Sequence, residues 1–217
     1  MSFQVFNAGF PGDTTLELLK RFQRDVAARQ PDLVVLLIGS NDMLYPGHVL
    51  DIADYRRNLN TLLDRIGWIN AECILMTAPR FITALLLENY PDTLQYSHSP
   101  EERLALVNNT IREVATERDL ELVDLYKIID PVDDSAGSMI LNPANSNRRD
   151  GMHLTADGNR KAAGAVYRVW QRCFSDRHTI VCLGDSLTYG VYMPGKGSAR
   201  TDALTYPGIL ADLLQNS

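Results

Sequence analysis

The chain has 217 residues, 45% of them hydrophobic and 22% charged, enough to enclose a sizeable core in one domain or two small ones. Its formal net charge is −6 with no run of Lys or Arg, so its surface would repel phosphate backbones and no nucleic-acid partner is expected. No apolar run approaches the roughly 18 residues that a spanning helix needs, and "MSFQVFNAGF" lacks a basic segment followed by an apolar one.

The reading is therefore a soluble protein with neither a transmembrane segment nor a signal peptide. Cys73, Cys173 and Cys182 are isolated, each in an apolar stretch, which predicts three buried thiols in a reducing, cytoplasmic compartment. There is no CxxC, no HExxH and no His–Cys cluster, so no zinc site is expected. There is no GxxxxGK[ST] and no GxGxxG, so no phosphate-bearing cofactor is expected either.

In chain order, residues 3–7 read as a strand, followed by "AGFPGD". Residues 14–28 follow as a helix, with Leu18, Leu19, Phe22 and Val26 on one stripe. "LVVLLI" at 33–38 is continuously apolar, as a parallel strand covered on both faces should be, and leads into "GSND". A helix at 49–66, a strand at 73–78 and an irregular excursion at 80–99 come next. They are followed by a helix at 100–118 with Pro100 at its start. A strand at 121–124 precedes a loop over 130–149, rich in Pro, Gly and Asn. The segment "DGMH" then precedes a helix at 155–174 with Thr155 as its cap. A second apolar strand at 179–183, the turn "GDSL" and a helix at 203–214 close the chain. Alternating strands and helices predict an α/β fold built on a parallel sheet.

Ligands of open parallel sheets bind beyond the carboxyl ends of the strands, so the chemistry is sought there. Ser186 offers a nucleophile and His153 a base, with Asp150 placed three residues earlier to fix the imidazole tautomer. Asn41 offers a side-chain amide. Gly12 offers an unobstructed N–H which, with the Ser186 N–H, completes an oxyanion hole. Taken singly, each has a plainer reading: a turn serine, a surface histidine, a turn asparagine, a left-handed glycine. Of the four histidines only His153 has an Asp three residues ahead; His48, His98 and His178 read as structural or solvated. Asp13 and Asp185 read as turn residues satisfying backbone N–H groups. Arg80, Arg148 and Arg149 read as solvated, and the 81–87 run and the Tyr192–Met193 pair as candidate walls of an acyl pocket or as core.

These blocks resemble the SGNH hydrolases, the GDSL esterase and lipase family. The four are "GDSLTYG" around Ser186, "NAGFPGDTT" around Gly12, "GSND" around Asn41, and "DGMH" with Asp150 and His153. The resemblance implies a three-layer α/β/α, flavodoxin-like sandwich with a five-stranded parallel sheet and residues 1–217 as a single domain. It also implies no cofactor and no metal. By this resemblance the catalytic residues are Ser186, His153 and Asp150, and the oxyanion hole is Ser186, Gly12 and Asn41. The implied activity is hydrolysis of small-molecule carboxylic esters, with thioesters as an extension, through an acyl-serine intermediate.

The block order departs from the family. The serine block, first in the family, comes last here, after the Asp–His block. Circular permutation accounts for this, with residues 178–217 corresponding to the family's usual N-terminal part and residues 175–177 joining old end to old beginning. Exchange of 178–217 between two copies, giving a homo-oligomer in the form of a domain-swapped dimer, is the alternative. The alternative function is a non-catalytic module binding a small molecule or anion on the same kind of sheet.

Overall fold

Five strands alternate with helices in the computed structural model, which describes residues 3–217. In chain order the first elements are β1 (Gln4–Gly9), α1 (Thr15–Asp25), β2 (Leu33–Leu37), α2 (Ser40–Leu44) and α3 (Ile52–Trp68). Next come β3 (Glu72–Met76), α4 (Thr83–Asn89), α5 (Pro100–Glu117), β4 (Glu121–Val123) and α6 (Leu125–Ile128). The last are α7 (Pro143–Ser146), α8 (Ala156–Cys173), β5 (Thr179–Gly184), α9 (Ser186–Tyr189) and α10 (Tyr206–Gln215).

All strands are parallel and form one sheet in the order β1-β5-β2-β3-β4. Counted from β5 as the first strand, this is 2-1-3-4-5, the flavodoxin-like order. The last strand in sequence therefore lies between the first two, with Gly184 level with Gly9 on one side and Leu37 on the other.

The pleat explains the two apolar layers. Along β2, Val34 and Leu36 point to one face and pack with Leu18 and Phe22 of α1, Leu59 and Leu62 of α3, and Val107 of α5. Leu33, Val35 and Leu37 point to the other face, against Val166 and Trp170 of α8 and Leu210 of α10. Because both faces are covered, β2 is buried along its whole length, as its unbroken apolar sequence requires. β1 is an edge strand with partly exposed residues, and it runs two residues past the expected end, to Gly9.

Three helix starts show why the chain turns where it does. Ser99 and Glu102 form a reciprocal capping box before Pro100. Thr155 accepts from the Gly158 N–H. Thr205 accepts from the Gly208 N–H, so α10 begins at Tyr206 and not at 203. One thiol departs from expectation. Cys73 and Cys182 are buried in strands, but Cys173 is exposed. It sits in the last turn of α8, where Trp170 packs inward, and its Sγ donates to Glu121 at 3.1 Å.

Candidate active site

The carboxyl ends of β1, β2 and β5 lie side by side, so the segments that follow them meet at one rim. Asp185 follows β5 and caps α9, its Oδ1 accepting from the Leu187 N–H at 2.9 Å. Ser186 is thus the first residue of a helix, where its own N–H has no intrahelical acceptor. In the sequence only a turn is legible here, because four residues are too few to show a helical period.

The segments after β1 and β2 are tied together. Asn41, in α2 and 7% exposed, donates from Nδ2 to the Asp13 carbonyl at 2.8 Å. Its next neighbour Asp42 accepts from both the N–H and the hydroxyl of Thr15, at 3.0 and 2.6 Å. One Asn41 amide hydrogen is therefore committed to the scaffold and the second is left for a ligand. Gly12 adopts φ +86°, a conformation that favours glycine, although a Cβ there would meet nothing within 4 Å. Asp13 departs from expectation: its carboxylate meets Arg21 Nε at 2.6 Å, and Arg21 in turn donates to the Gly184 carbonyl at 2.9 Å.

His153 arrives from the loop ahead of α8. That loop is pinned by an antiparallel bridge between Ile140 and Leu154 and by the Leu141 N–H on the His153 carbonyl at 2.8 Å. Gly151 makes the turn at φ +81°, and a Cβ there would lie 2.5 Å from Leu85 Cβ. Asp150 Oδ2 is 2.7 Å from His153 Nδ1, while Oδ1 accepts from the N–H groups of Met152 and His153 at 2.8 and 2.7 Å. This bonding places the proton on Nδ1 and leaves Nε2 as the basic nitrogen. Burial alone would raise the Asp150 carboxyl. The hydrogen bonds and charge of His153, with the two N–H groups, hold it below its ordinary value.

Ser186, His153 and Asn41 line one small cavity, of about 20 Å³, with Leu44, Phe81 and Leu187 as apolar walls. Gly12 does not line it and lies one residue ahead of the carbonyl that holds Asn41. Met152 and His153 also border a second cavity of about 280 Å³, on the side of Tyr90, Arg148 and Tyr192. Met193 does not join Tyr192 there. Leu85 and Leu86, from the apolar 81–87 run, are buried in core layers, whereas Phe81 reaches the small cavity. Leu44 and Met152 carried no signal in the sequence beyond being apolar. Beneath the rim, burial raises two carboxyls: Asp42 to about 6 and Asp185 to about 7. Among the described residues no cluster of three or more His, Cys, Asp or Glu could hold a metal ion. No helix there is long and apolar enough to cross a membrane.

The sequence model of the GDSL-like Lipase/Acylhydrolase family matches residues 2–161. The chain belongs to this family. The match stops short of the GDSL block that contains Ser186. A GDSL esterase/lipase, CPRD49, of Arabidopsis thaliana is 24% identical over 168 residues, 74% of this chain and 62% of that protein. The chain thus spans about three-fifths of that relative's length. Two crystal structures share the fold. One is an acetyl xylan esterase, AlAXEase, with 23% identity and a TM-score of 0.57 over 75% of this chain and 78% of that one. The other is a GDSL-like lipase of Bacteroides thetaiotaomicron, with 20% identity and a TM-score of 0.58 over 75% of this chain and 73% of that one.

Proposed function

We propose that this GDSL-family chain is a serine hydrolase of small-molecule carboxylic esters, with thioesters as an extension. The observation that carries the reading is the sharing of one cavity by Ser186, Asn41 and a His153 whose ring is bonded to Asp150. His153 Nε2 takes the proton as Ser186 Oγ attacks the carbonyl carbon. The oxyanion is met by the free hydrogen of the Asn41 amide and by the Ser186 N–H, and the family pattern adds the N–H of Gly12, which lies outside the cavity lining on the loop that holds Asn41. His153 then protonates the departing alcohol, and water activated by the same imidazole releases the acid from acyl-Ser186. Asp150 keeps the proton on Nδ1 throughout and stabilises the imidazolium.

The order of the blocks is read as a circular permutation of one domain. Two observations support it: the flavodoxin-like order of the sheet when counted from β5, and a family match that ends before the serine block. The test is turnover of p-nitrophenyl acetate by wild type and Ser186→Ala. Loss of turnover in the variant is expected; equal rates would favour the non-catalytic binding module.

A further inference from the structure

A serine hydrolase needs its oxyanion donors at fixed distances from one another, because a misplacement of about 1 Å can cost about 10²-fold in rate. Here those donors come from distant parts of the chain. Gly12 follows β1 and Asn41 follows β2, whereas Ser186 follows β5. The ladder registers β1 on β5 as far as Phe10, whose N–H donates to the Gly184 carbonyl at 3.1 Å. Beyond Phe10 the chain leaves the sheet. The Asp13 N–H reaches the Phe10 carbonyl at 3.3 Å, a long bond, and a Cβ on Gly12 would meet nothing within 4 Å. Packing therefore does little to place Gly12 and Asp13. Side chains do it: the Asn41 amide holds the Asp13 carbonyl, and Arg21 holds the Asp13 carboxylate.

Arg21 does more than pair with Asp13. Its side chain is only 10% exposed, and each of its three nitrogens has a separate acceptor. Nε meets Asp13 Oδ2 at 2.6 Å, Nη1 meets Asp25 Oδ2 at 3.0 Å, and Nη2 donates to the Gly184 carbonyl at 2.9 Å. Asp13 directly follows Gly12, and Gly184 stands just ahead of Asp185 and Ser186. One side chain thus grips the segment after β1 and the segment before the serine. A planar guanidinium holds these bonds in a single geometry, which an ammonium on a flexible stem cannot do. Arg21 is not among the residues lining the cavity that Ser186, Asn41 and His153 share.

We propose that Arg21 is a positioning residue for ester hydrolysis: without touching substrate, it sets the spacing between the Asn41 side of the oxyanion hole and the Ser186 side. The proposal rests on the hydrolase reading above and adds to it the tie that aligns its donors.

Hydrolysis of p-nitrophenyl acetate is measured in wild type, Ser186→Ala, Arg21→Lys, Asp13→Ala, Asp13→Asn, Asn41→Ala and the double variant Arg21→Lys/Asn41→Ala. Intact sites are counted by fluorophosphonate labelling carried to completion. Expected in Arg21→Lys is a fall of about tenfold in kcat per labelled site with KM little changed. Asp13→Ala cuts the same tie from the rim and falls by a similar factor; Asp13→Asn keeps an acceptor for Nε and recovers most of that loss. In the double variant the loss is smaller than the product of the two single losses, because a donor that Arg21 aligns is already gone. A kcat per site within threefold of wild type in Arg21→Lys overturns the positioning role, as do losses that multiply in the double variant. Should Arg21→Lys fail to fold, the Asp13 pair decides: an Asp13→Ala variant as active as wild type, or an Asp13→Asn variant no better than Asp13→Ala, overturns it equally. Wild-type turnover that is absent, or that persists in Ser186→Ala, overturns the hydrolase reading itself and this proposal with it.

Discussion

Replacing Asn41 by alanine removes two N–H groups with different tasks, and the structure gives each its own magnitude. One hydrogen of the amide holds the Asp13 carbonyl at 2.8 Å in a buried setting. Losing it leaves a buried acceptor unsatisfied, at a cost of about 1–3 kcal/mol of stability. A domain of ordinary stability, about 5–15 kcal/mol, remains folded after that loss. The other hydrogen has no partner among the described residues on a side chain that lines the cavity, and there it would meet the oxyanion, where one donor contributes about 10²–10³ in kcat. Urea unfolding and steady-state hydrolysis of p-nitrophenyl acetate separate the two. The expected pair of results is a modest shift in the unfolding midpoint and a fall of about 10²–10³ in kcat with KM little changed. A fall of less than threefold in a folded variant would remove Asn41 from the oxyanion hole and leave it a purely structural tie.

Two further substitutions probe the carboxyls. In Asp150→Asn the side-chain oxygen can still accept from the Met152 and His153 N–H groups, but the amide would donate to Nδ1 and force the proton onto Nε2. Stability should change little while kcat falls about 10⁴-fold, the size of the effect when a triad imidazole is held in the wrong tautomer; near-normal kcat would sever the link between Asp150 and catalysis. Asp42 tests the buried rim. Its ordinary value of 3.8 is raised to about 6 by burial, so the folded state binds its proton more tightly than the unfolded one. The folded chain then carries more protons between about pH 4 and 6, and stability falls as pH rises through that window, by up to about 3 kcal/mol for this group. Asp42→Asn should flatten the slope when unfolding midpoints are compared at pH 4 and pH 7. An unchanged slope would mean that Asp42 ionises normally.

The sheet could be read from the sequence because its central strands, β2 and β5, are covered on both faces and show unbroken apolar runs, "LVVLL" and "TIVCLG". The long helices were legible from their stripes and caps, α8 behind Thr155 and α5 behind Ser99 and Pro100. What escaped notice was short or decided by tertiary contact. The helices α2 and α9 span five and four residues, fewer than a pattern needs to declare itself, yet they position Asn41 and Ser186. Cys173 stands in sequence between Gln171-Arg172 and Phe174-Ser175-Asp176, a largely polar setting that fits its exposure in the last turn of α8. Asp13 was expected to cap a turn and instead pairs with Arg21, a partner eight residues away that only the packing of α1 on the rim brings near. Ser186, His153 and Asn41 were legible as motifs, and the fold brings them to one cavity. Their apolar surroundings, Leu44 and Met152, were invisible because nothing distinguishes a cavity-lining leucine from a core leucine until the chain is folded.

If the chain is a serine hydrolase of this kind, the hydroxyl of Ser186 is the group activated by His153. The most direct measurement is mass mapping of the protein after reaction with a small fluorophosphonate. One phosphonyl group per chain is expected, on the peptide that contains Ser186, absent in Ser186→Ala and strongly slowed in His153→Ala. An adduct on any other residue, or labelling of Ser186→Ala at the wild-type rate, would contradict it.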